Sequence, residues 1–253
     1  MSSAVNLIVA VLLFFTSSSL SAKDVNILIL KEHVTADCQR KLSGALGGIY
    51  QIDMQADALA VGFPDSWDTC ANGLIFHTLS QAMIQSGMAD RVTLTPVGIP
   101  AGSLKEWFVS GRAQEKMKSV AEKANAKNIT FDYVLWDGGL IDGEFSDSTY
   151  QIDVQKILKE VKLGTKVEKF IISKSVNCTA GIESNGRAYR WDPLFRRFSG
   201  PDIGKISREY YADKCNFTEA GQKKIAQLWL EAIKKADIED KKYQRESLLH
   251  YFK

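Results

Sequence analysis

Four compact apolar runs along the chain alternate with segments in which apolar residues recur every three or four positions. The four runs cover residues 25–30, 91–97, 131–136 and 167–173. The first of them is β-rich with few polar residues, as expected of a strand that is buried on both faces of a sheet. The pattern therefore predicts four strands separated by helices.

The segments between these runs predict amphipathic helices. The first helix is expected to end at Gly87. The second is predicted to run from an N-cap at Ser103 to about Ala126, with Glu106 completing a capping box. A third helix follows the third strand, and a last helix begins after Thr218. The apolar positions of these last two helices are Tyr150, Val154, Ile157, Leu158 and Val161, then Ile225, Leu228, Trp229, Ala232 and Ile233.

Alternating strands and helices of these lengths predict the α/β class. We expect a three-layer α/β/α sandwich with a flavodoxin-like parallel sheet of about five strands. Open sheets of this kind bind ligands at the carboxyl ends of their strands. The places to search for chemistry are therefore the segments after Leu30, Val97 and Trp136, and the loop before the last helix.

The N-terminus predicts a signal peptide rather than part of the fold. An apolar run from Asn6 to Phe15 is followed by small residues that end at Ala22. A spanning helix needs about 20 apolar residues, so the run is short for that role, although a retained anchor is the alternative. We expect residues 1–22 to be removed and residues 23–253 to form one domain without a transmembrane segment, in a secreted or periplasmic protein.

The composition limits the classes of partner. The chain has 32 Lys and Arg against 30 Asp and Glu, interspersed along the predicted helices. This balance gives no field that would attract nucleic acid or an anionic membrane. We therefore predict no nucleic-acid partner, and the residues indicate no cofactor. The oligomeric state stays open.

The cysteines fit an oxidising compartment. Cys38, Cys70, Cys178 and Cys215 lack the close pairs of a zinc or redox motif. Cys38 follows the first strand and Cys70 precedes the helix beside it, whereas Cys178 and Cys215 both fall at the carboxyl edge of the sheet. We predict the disulfides Cys38–Cys70 and Cys178–Cys215, with free buried thiols as the alternative.

Four sequence blocks resemble those of SGNH (GDSL-type) hydrolases, and in particular carbohydrate esterases related to sialate O-acetylesterases. In that family the first strand ends in Gly-Asp-Ser or Gly-Gln-Ser, the second block is a glycine-rich turn followed by Trp, the third reads Trp-His-Gln-Gly-Glu, and the last is Asp-x-x-His. The corresponding segments here are Ile27–Cys38, Val97–Trp107, Trp136–Asp142 and Asp213–Gln222. Their order and spacing match the family over most of the chain after residue 22.

The resemblance implies a site whose usual chemical groups are largely replaced. Ester hydrolysis on this scaffold needs a nucleophilic oxygen, a histidine base, an acid that orients the histidine, and donors for the oxyanion. His33, or Glu32 after a shift of one residue, occupies the nucleophile position, and Asn216 occupies the base position. Asp213 retains the acid. The donor positions are Gly98 or Gly102 in the second block and Gly138 in the third.

Three functions follow from this pattern. The first is a non-catalytic, exported SGNH-like protein that binds a carbohydrate or acetylated glycan in the cleft. The second is an active carbohydrate O-acetylesterase or other ester hydrolase with a rearranged site around His33 and Asp213, in which Thr35 or Ser103 supplies a hydroxyl. The third is a metal site that joins His33 to acids at the end of the third strand; the candidate acids are Asp137, Asp142 and Glu144.

Three further features have two interpretations each. The segment Arg187–Phe198 interleaves arginines with aromatic residues, which suits an anionic sugar or an amphipathic helix that covers one edge of the sheet. His77 lies beside an apolar stripe and is interpreted as structural. The sequons at Asn128, Asn177 and Asn216 matter where a secretory host attaches glycans.

Overall fold

The computed structural model of the 253-residue chain describes residues 23–34, 49–53, 58–61, 73–100, 104–108, 110–138, 147–174, 195–213 and 216–251. The strands are β1 (Asp24–Val34), β2 (Ile49–Asp53), β3 (Ala58–Val61), β4 (Arg91–Pro100), β5 (Thr130–Asp137), β6 (Lys166–Lys174) and β7 (Arg197–Asp202). The helices are α1 (Gly73–Gln85), α2 (Arg112–Ala126), α3 (Asp147–Gly164) and α4 (Glu219–Tyr251).

Within these residues the strands form one seven-stranded sheet in the order β3-β2-β4-β1-β5-β6-β7. All neighbours are parallel except β3, which pairs antiparallel with β2. The five strands β4-β1-β5-β6-β7 reproduce the flavodoxin order 2-1-3-4-5. The predicted fold is therefore confirmed, and the pair β2-β3 extends the sheet beyond β4.

Helices cover both faces of the sheet. Ile27 and Ile29 of β1 belong to the core that α1 and α4 close, whereas Leu28 and Leu30 belong to the core that α2 and α3 close. This alternation explains why the strand reads as a continuous apolar run. The predicted stripes of α3 and α4 are buried apart from Leu228, which is partly buried, and Trp136 and Trp229 are both 0% exposed.

The prediction of one continuous helix from Ser103 to Ala126 is wrong. Leu104–Trp107 is a short 3-10 turn, and α2 begins at Arg112, after Gly111. The Glu106 carboxylate accepts a hydrogen bond from the backbone N–H of Arg112 at 3.0 Å, so it caps α2 across the break. A Cβ on Gly111 would lie 2.2 Å from the Glu106 carbonyl oxygen, and this close approach requires glycine.

The strand pattern missed β2, β3 and β7. Among the described strands, β7 (Arg-Phe-Ser-Gly-Pro-Asp) pairs with β6 alone and lies at the edge of the sheet, where polar residues and Pro201 are tolerated. Arg197 and Phe198 of the predicted amphipathic helix therefore lie in a strand. The rest of that segment before Phe195 lies outside the described residues.

Several predictions fall on parts of the chain that are not described. Residues 1–22 and the cysteines Cys38, Cys70, Cys178 and Cys215 belong to these parts. The signal peptide and the two disulfides therefore stay predictions. No helix in the described part of the chain has the length and apolar character needed to cross a bilayer.

Candidate functional site

The carboxyl ends of β1, β4 and β5 meet at the point where the chain changes direction through the sheet. After β1 the chain adds strands on the β4 side, and it then returns to place β5 on the other side of β1. In open α/β sheets this switch point is where ligands bind. Lys31 at the end of β1 is in register with both Gly98 of β4 and Asp137 of β5. The structure thus brings together three of the four stretches that the sequence indicated.

A buried ion pair occupies this switch point. Lys31 Nζ lies 3.2 Å from Asp137 Oδ2, and the two side chains are only 6% and 7% exposed. Removing two charges from water costs several kcal/mol per ion, so each side chain requires the other as a partner. Asp137 was a predicted candidate metal ligand, whereas Lys31 had no predicted role. The available signal was a lysine placed directly after an apolar strand.

The third block is held by aromatic contacts. Trp136 Nε1 donates to the Tyr150 hydroxyl at 3.2 Å, and the Trp136 carbonyl accepts a hydrogen bond from the Ser173 hydroxyl at 3.0 Å. Trp107 of the second block packs edge-on against Trp136, with ring centroids 5.3 Å apart. A Cβ on Gly138 would lie 2.7 Å from Trp136 Nε1. The indole therefore occupies the space that a side-chain donor at this position would need.

The predicted donor position Gly98 lies within β4 rather than in a turn. Its backbone is buried, and its carbonyl oxygen accepts a hydrogen bond from Lys116 Nζ at 3.1 Å. Gly102 lies outside the described residues. Of the two second-block glycines, the structure therefore places one, and it places that one in the strand ladder beside Lys31.

Asp213 and Asn216 bond to each other. Asp213 Oδ1 accepts from the backbone N–H of Asn216, and Asp213 Oδ2 accepts from Asn216 Nδ2, both at 2.7 Å. The direction of the second bond is fixed because an ionised carboxylate can only accept. The Asn216 side chain is thus a hydrogen-bond donor toward Asp213, the residue that the sequence resemblance assigned as the acid.

The loop that carries this pair is tied to the start of α4. Tyr211 and Phe217 form an antiparallel bridge, and their ring centroids are 4.6 Å apart. The Thr218 hydroxyl donates to the Tyr210 carbonyl at 3.1 Å and accepts from the Gly221 N–H at 3.1 Å, so it caps α4. A Cβ on Gly221 would lie 2.2 Å from the Tyr210 carbonyl oxygen. This contact explains the Thr-Glu-Ala-Gly sequence.

His33 lies next to the last residue of β1, where the register with β4 shifts between Lys31 and Val34. Its side chain is not among those described, and Thr35, Ser103, Asp142 and Glu144 lie outside the described residues. The rearranged and metal-bound sites built on these residues therefore stay hypotheses. Among the residues described, no three or more His, Cys, Asp or Glu side chains are grouped to hold a metal ion.

The carboxyl ends of β6 and β7 add charged groups to the same edge. Lys174 Nζ lies 3.6 Å from Asp202 Oδ2, and the exposed Lys205 approaches the same oxygen at 3.5 Å. The side chains of Lys174 and Asp202 are 27% and 20% exposed. Unlike the buried Lys31, Lys174 is accessible to a ligand at this edge.

His77 belongs to the packing of α1. The residue is 6% exposed, and its Nε2 atom lies 2.7 Å from Gln81 Nε2 one helical turn later. Burial lowers the pKa of the imidazole below its ordinary value of 6.5, because the charged form loses hydration. These contacts agree with the structural interpretation of this histidine.

A second concave surface lies between α2 and α3. This cavity of about 300 Å³ is lined mainly by apolar side chains, with Lys118 and Glu160 among its lining residues. Trp107 also lines it, so the cavity adjoins the second block on the side of the sheet away from Lys31. The sequence pattern gave no indication of it.

Comparisons with known proteins reveal a similar fold without a match in sequence. No protein-family model matches the chain, and no curated protein matches it in sequence. A protein from Arabidopsis thaliana has a similar structure, with a TM-score of 0.59 and 13% identity over 84% of this chain and 98% of its own. A carbohydrate acetylesterase from Xanthomonas citri aligns with a TM-score of 0.49 and 9% identity over 81% of this chain and 55% of its own. The first likeness supports the three-layer fold.

Proposed function

We propose that this chain is an exported, non-catalytic relative of carbohydrate esterases that binds a carbohydrate, such as an acetylated glycan. The binding site would be the edge of the sheet at the carboxyl ends of β1, β4, β5, β6 and β7, called here the strand-end edge. The inference that the ligand is a carbohydrate rests on the resemblance of the four sequence blocks to those of SGNH esterases. The inference that the protein is not catalytic rests on the residues that occupy those blocks and on their contacts.

The bond from Asn216 Nδ2 to Asp213 Oδ2 carries the proposal. In a serine esterase the acid orients a histidine whose free nitrogen takes the proton of the nucleophile. Here an amide nitrogen donates to the acid, and an amide does not accept a proton at neutral pH. The acid is therefore retained while the base that it would orient is replaced.

Two further contacts favour the same function. The end of β1 places Lys31 in a buried ion pair with Asp137 next to the nucleophile block. The indole of Trp136 fills the space beside Gly138 where the third-block donor would stand. Nucleophile and base act as a unit, so their joint loss removes about 10⁴ to 10⁶ of the rate acceleration.

Hydrolysis assays test the absence of catalysis. We expect purified protein to release no more product from p-nitrophenyl acetate or acetylated sugars than an unrelated protein does. Saturable hydrolysis that His33→Ala abolishes would overturn the proposal in favour of the rearranged esterase. If a chelator also abolishes that hydrolysis, the metal site, which includes His33, would be favoured instead.

Binding to immobilised acetylated and deacetylated glycans tests the proposal that the ligand is a carbohydrate. Lys174 is the last residue of β6 and Lys166 is its first residue. The two lysines therefore form a matched pair at opposite ends of the same strand. A hydrogen bond to a charged group contributes about 1.5–3 kcal/mol, and we therefore expect Lys174→Ala to weaken binding at least about tenfold. Lys166→Ala should bind as the wild type does. Equal effects of the two variants would exclude the strand-end edge as the binding site.

A further inference from the structure

The structure describes two of the three sequons, and they differ in their surroundings. An N-linked glycan is bulky and hydrophilic, so the acceptor asparagine must project into solvent in the folded protein. Asn128-Ile-Thr and Asn216-Phe-Thr are described, and Asn177-Cys-Thr lies outside the described residues. Comparing the two side-chain amides therefore decides which sequon the fold can present.

Asn128 lies in the exposed turn between α2 and β5. Its φ of 54° is left-handed, a conformation that asparagine adopts more readily than most residues. The Oδ1 atom accepts a hydrogen bond from Lys166 Nζ at 2.5 Å, which fixes the orientation of the amide. Within the part of the chain that the structure describes, the Nδ2 atom donates to no protein group. The atom that receives a glycan is thus the one without a partner among the described residues, on an exposed asparagine.

Asn216 differs from Asn128 in both its burial and its hydrogen bonds. Its side chain is half-buried, and its Nδ2 atom donates to Asp213 Oδ2 at 2.7 Å. Phe217, the middle residue of the sequon, is buried against the Tyr211 ring. The Thr218 hydroxyl is used to cap α4. A sugar on Asn216 would crowd the loop that joins the acid to the last helix.

We infer that Asn128 carries an N-linked glycan and that Asn216 does not, an inference that rests on the export included in the proposed function. The donor is an oligosaccharide linked to a lipid through pyrophosphate, supplied by the secretory host. A bond forms between Asn128 Nδ2 and the anomeric carbon, the bond from that carbon to the pyrophosphate oxygen breaks, and Nδ2 gives up one proton. The lipid pyrophosphate is the leaving group.

The position of this glycan leaves the strand-end edge open. Asn128 precedes Thr130, the first residue of β5, whereas Asp137 is the last residue of the same strand. At about 3.3 Å per residue, the two ends of β5 are roughly 23 Å apart. The modified turn is therefore at the opposite end of the sheet from Lys31 and Asp137.

The test is expression of the full chain in a eukaryotic secretory host, in two forms. One form begins at Met1, and the other carries an established cleavable leader in front of the full chain. Peptide mass spectrometry of the secreted protein, with and without peptide N-glycosidase F, reads each sequon separately. We expect glycan on the Asn128 peptide and none on the Asn216 peptide. Thr130→Ala should remove the glycan, and Thr130→Ser, which restores a sequon, should retain it.

The outcomes separate the two proposals. Secreted protein with an unmodified Asn128 peptide, or with glycan on Asn216, overturns the assignment whichever leader was used. If only the form with the added leader is secreted and its Asn128 is glycosylated, the assignment stands and the native export signal is refuted. Retention of glycan in Thr130→Ala would show that the modification does not depend on the sequon.

Discussion

Lys31 and Asp137 are 106 residues apart in the chain, and their side chains form a buried ion pair with Nζ and Oδ2 3.2 Å apart. They are in register at the carboxyl ends of β1 and β5, the two strands that flank the switch point. Because both side chains are buried at the switch point, this pair is part of the framework of the strand-end edge.

Removing one member of the pair should cost more stability than removing both. Lys31→Met leaves the Asp137 carboxylate buried without this partner, and we expect it to lower the free energy of unfolding by about 3–5 kcal/mol. The double variant Lys31→Met with Asp137→Leu should be much closer to the wild type, since well-packed apolar groups often replace a buried pair at little cost. Urea denaturation of the three proteins measures the difference.

An exposed pair provides the control. Lys223 and Glu219 of α4 lie 2.8 Å apart one helical turn from each other, with side chains more than half exposed. Lys223→Met should change the free energy of unfolding by less than about 0.5 kcal/mol. If Lys31→Met were as mild as Lys223→Met, the burial of the Lys31 pair would be wrong.

Trp229 joins α4 to α1 in the core. Its side chain is 0% exposed, and its ring centroid lies 6.4 Å from that of Phe76. We expect Trp229→Ala to destabilise the protein by about 3–5 kcal/mol, because a large cavity forms between the helices. Ile238→Ala on the same helix is the control, since Ile238 is 68% exposed and should change stability by less than about 0.5 kcal/mol. Equal melting curves for the two variants would contradict the helix register.

Much of the fold could be predicted because its strands are buried on both faces. The run Val25–Leu30 has apolar residues on both sides of the sheet, and no helical period fits it. Strand β7 could not be predicted in this way, because an edge strand tolerates Ser199, Gly200 and Pro201. Gly200 is needed because a Cβ there would lie 2.7 Å from the Ile172 backbone.

The edge of the sheet that carries the candidate site could be predicted from the sequence, whereas the contacts at that edge could not. Strand periodicity indicated the edge at which Leu30, Val97 and Trp136 end their strands, because topology alone fixes that edge. The sequence could not pair Lys31 with Asp137, since their contact depends on the register of strands far apart in the chain. The placing of Asn216 at the base position stays a prediction from the resemblance, whereas the donor role of its amide required the geometry of the loop.

The burial of His77 predicts a pH dependence of stability. Its pKa is lowered in the folded protein, so as the pH falls below about 6.5 the unfolded chain binds the proton first. The contribution of His77 is therefore fully present above pH 6.5 and is lost as the pH falls through the lower, folded pKa. We expect unfolding free energies measured from pH 8 to pH 5 to decline less in His77→Gln than in the wild type.

His250 provides the matched control for this experiment. It lies in the last turn of α4, in the polar C-terminal segment of the sequence. Attribution to His77 requires that His250→Gln reduce the decline between pH 8 and pH 5 less than His77→Gln does. A wild-type decline that His77→Gln retains in full would mean that another group titrates in this range.

The last prediction tests the direction of the bond between Asn216 and Asp213. If the amide donates, Asn216→Ala loses one hydrogen bond and should lower the free energy of unfolding by about 0.5–1.5 kcal/mol. Asn216→Asp should cost more, because it places a second carboxylate against the first, and added salt should reduce that extra cost by screening. The exchange Asp213→Asn with Asn216→Asp restores one donor and one acceptor and should recover part of the loss. If Asn216→Asp were as stable as the wild type, the amide would not be donating, and the argument that it replaces the base would lose its support.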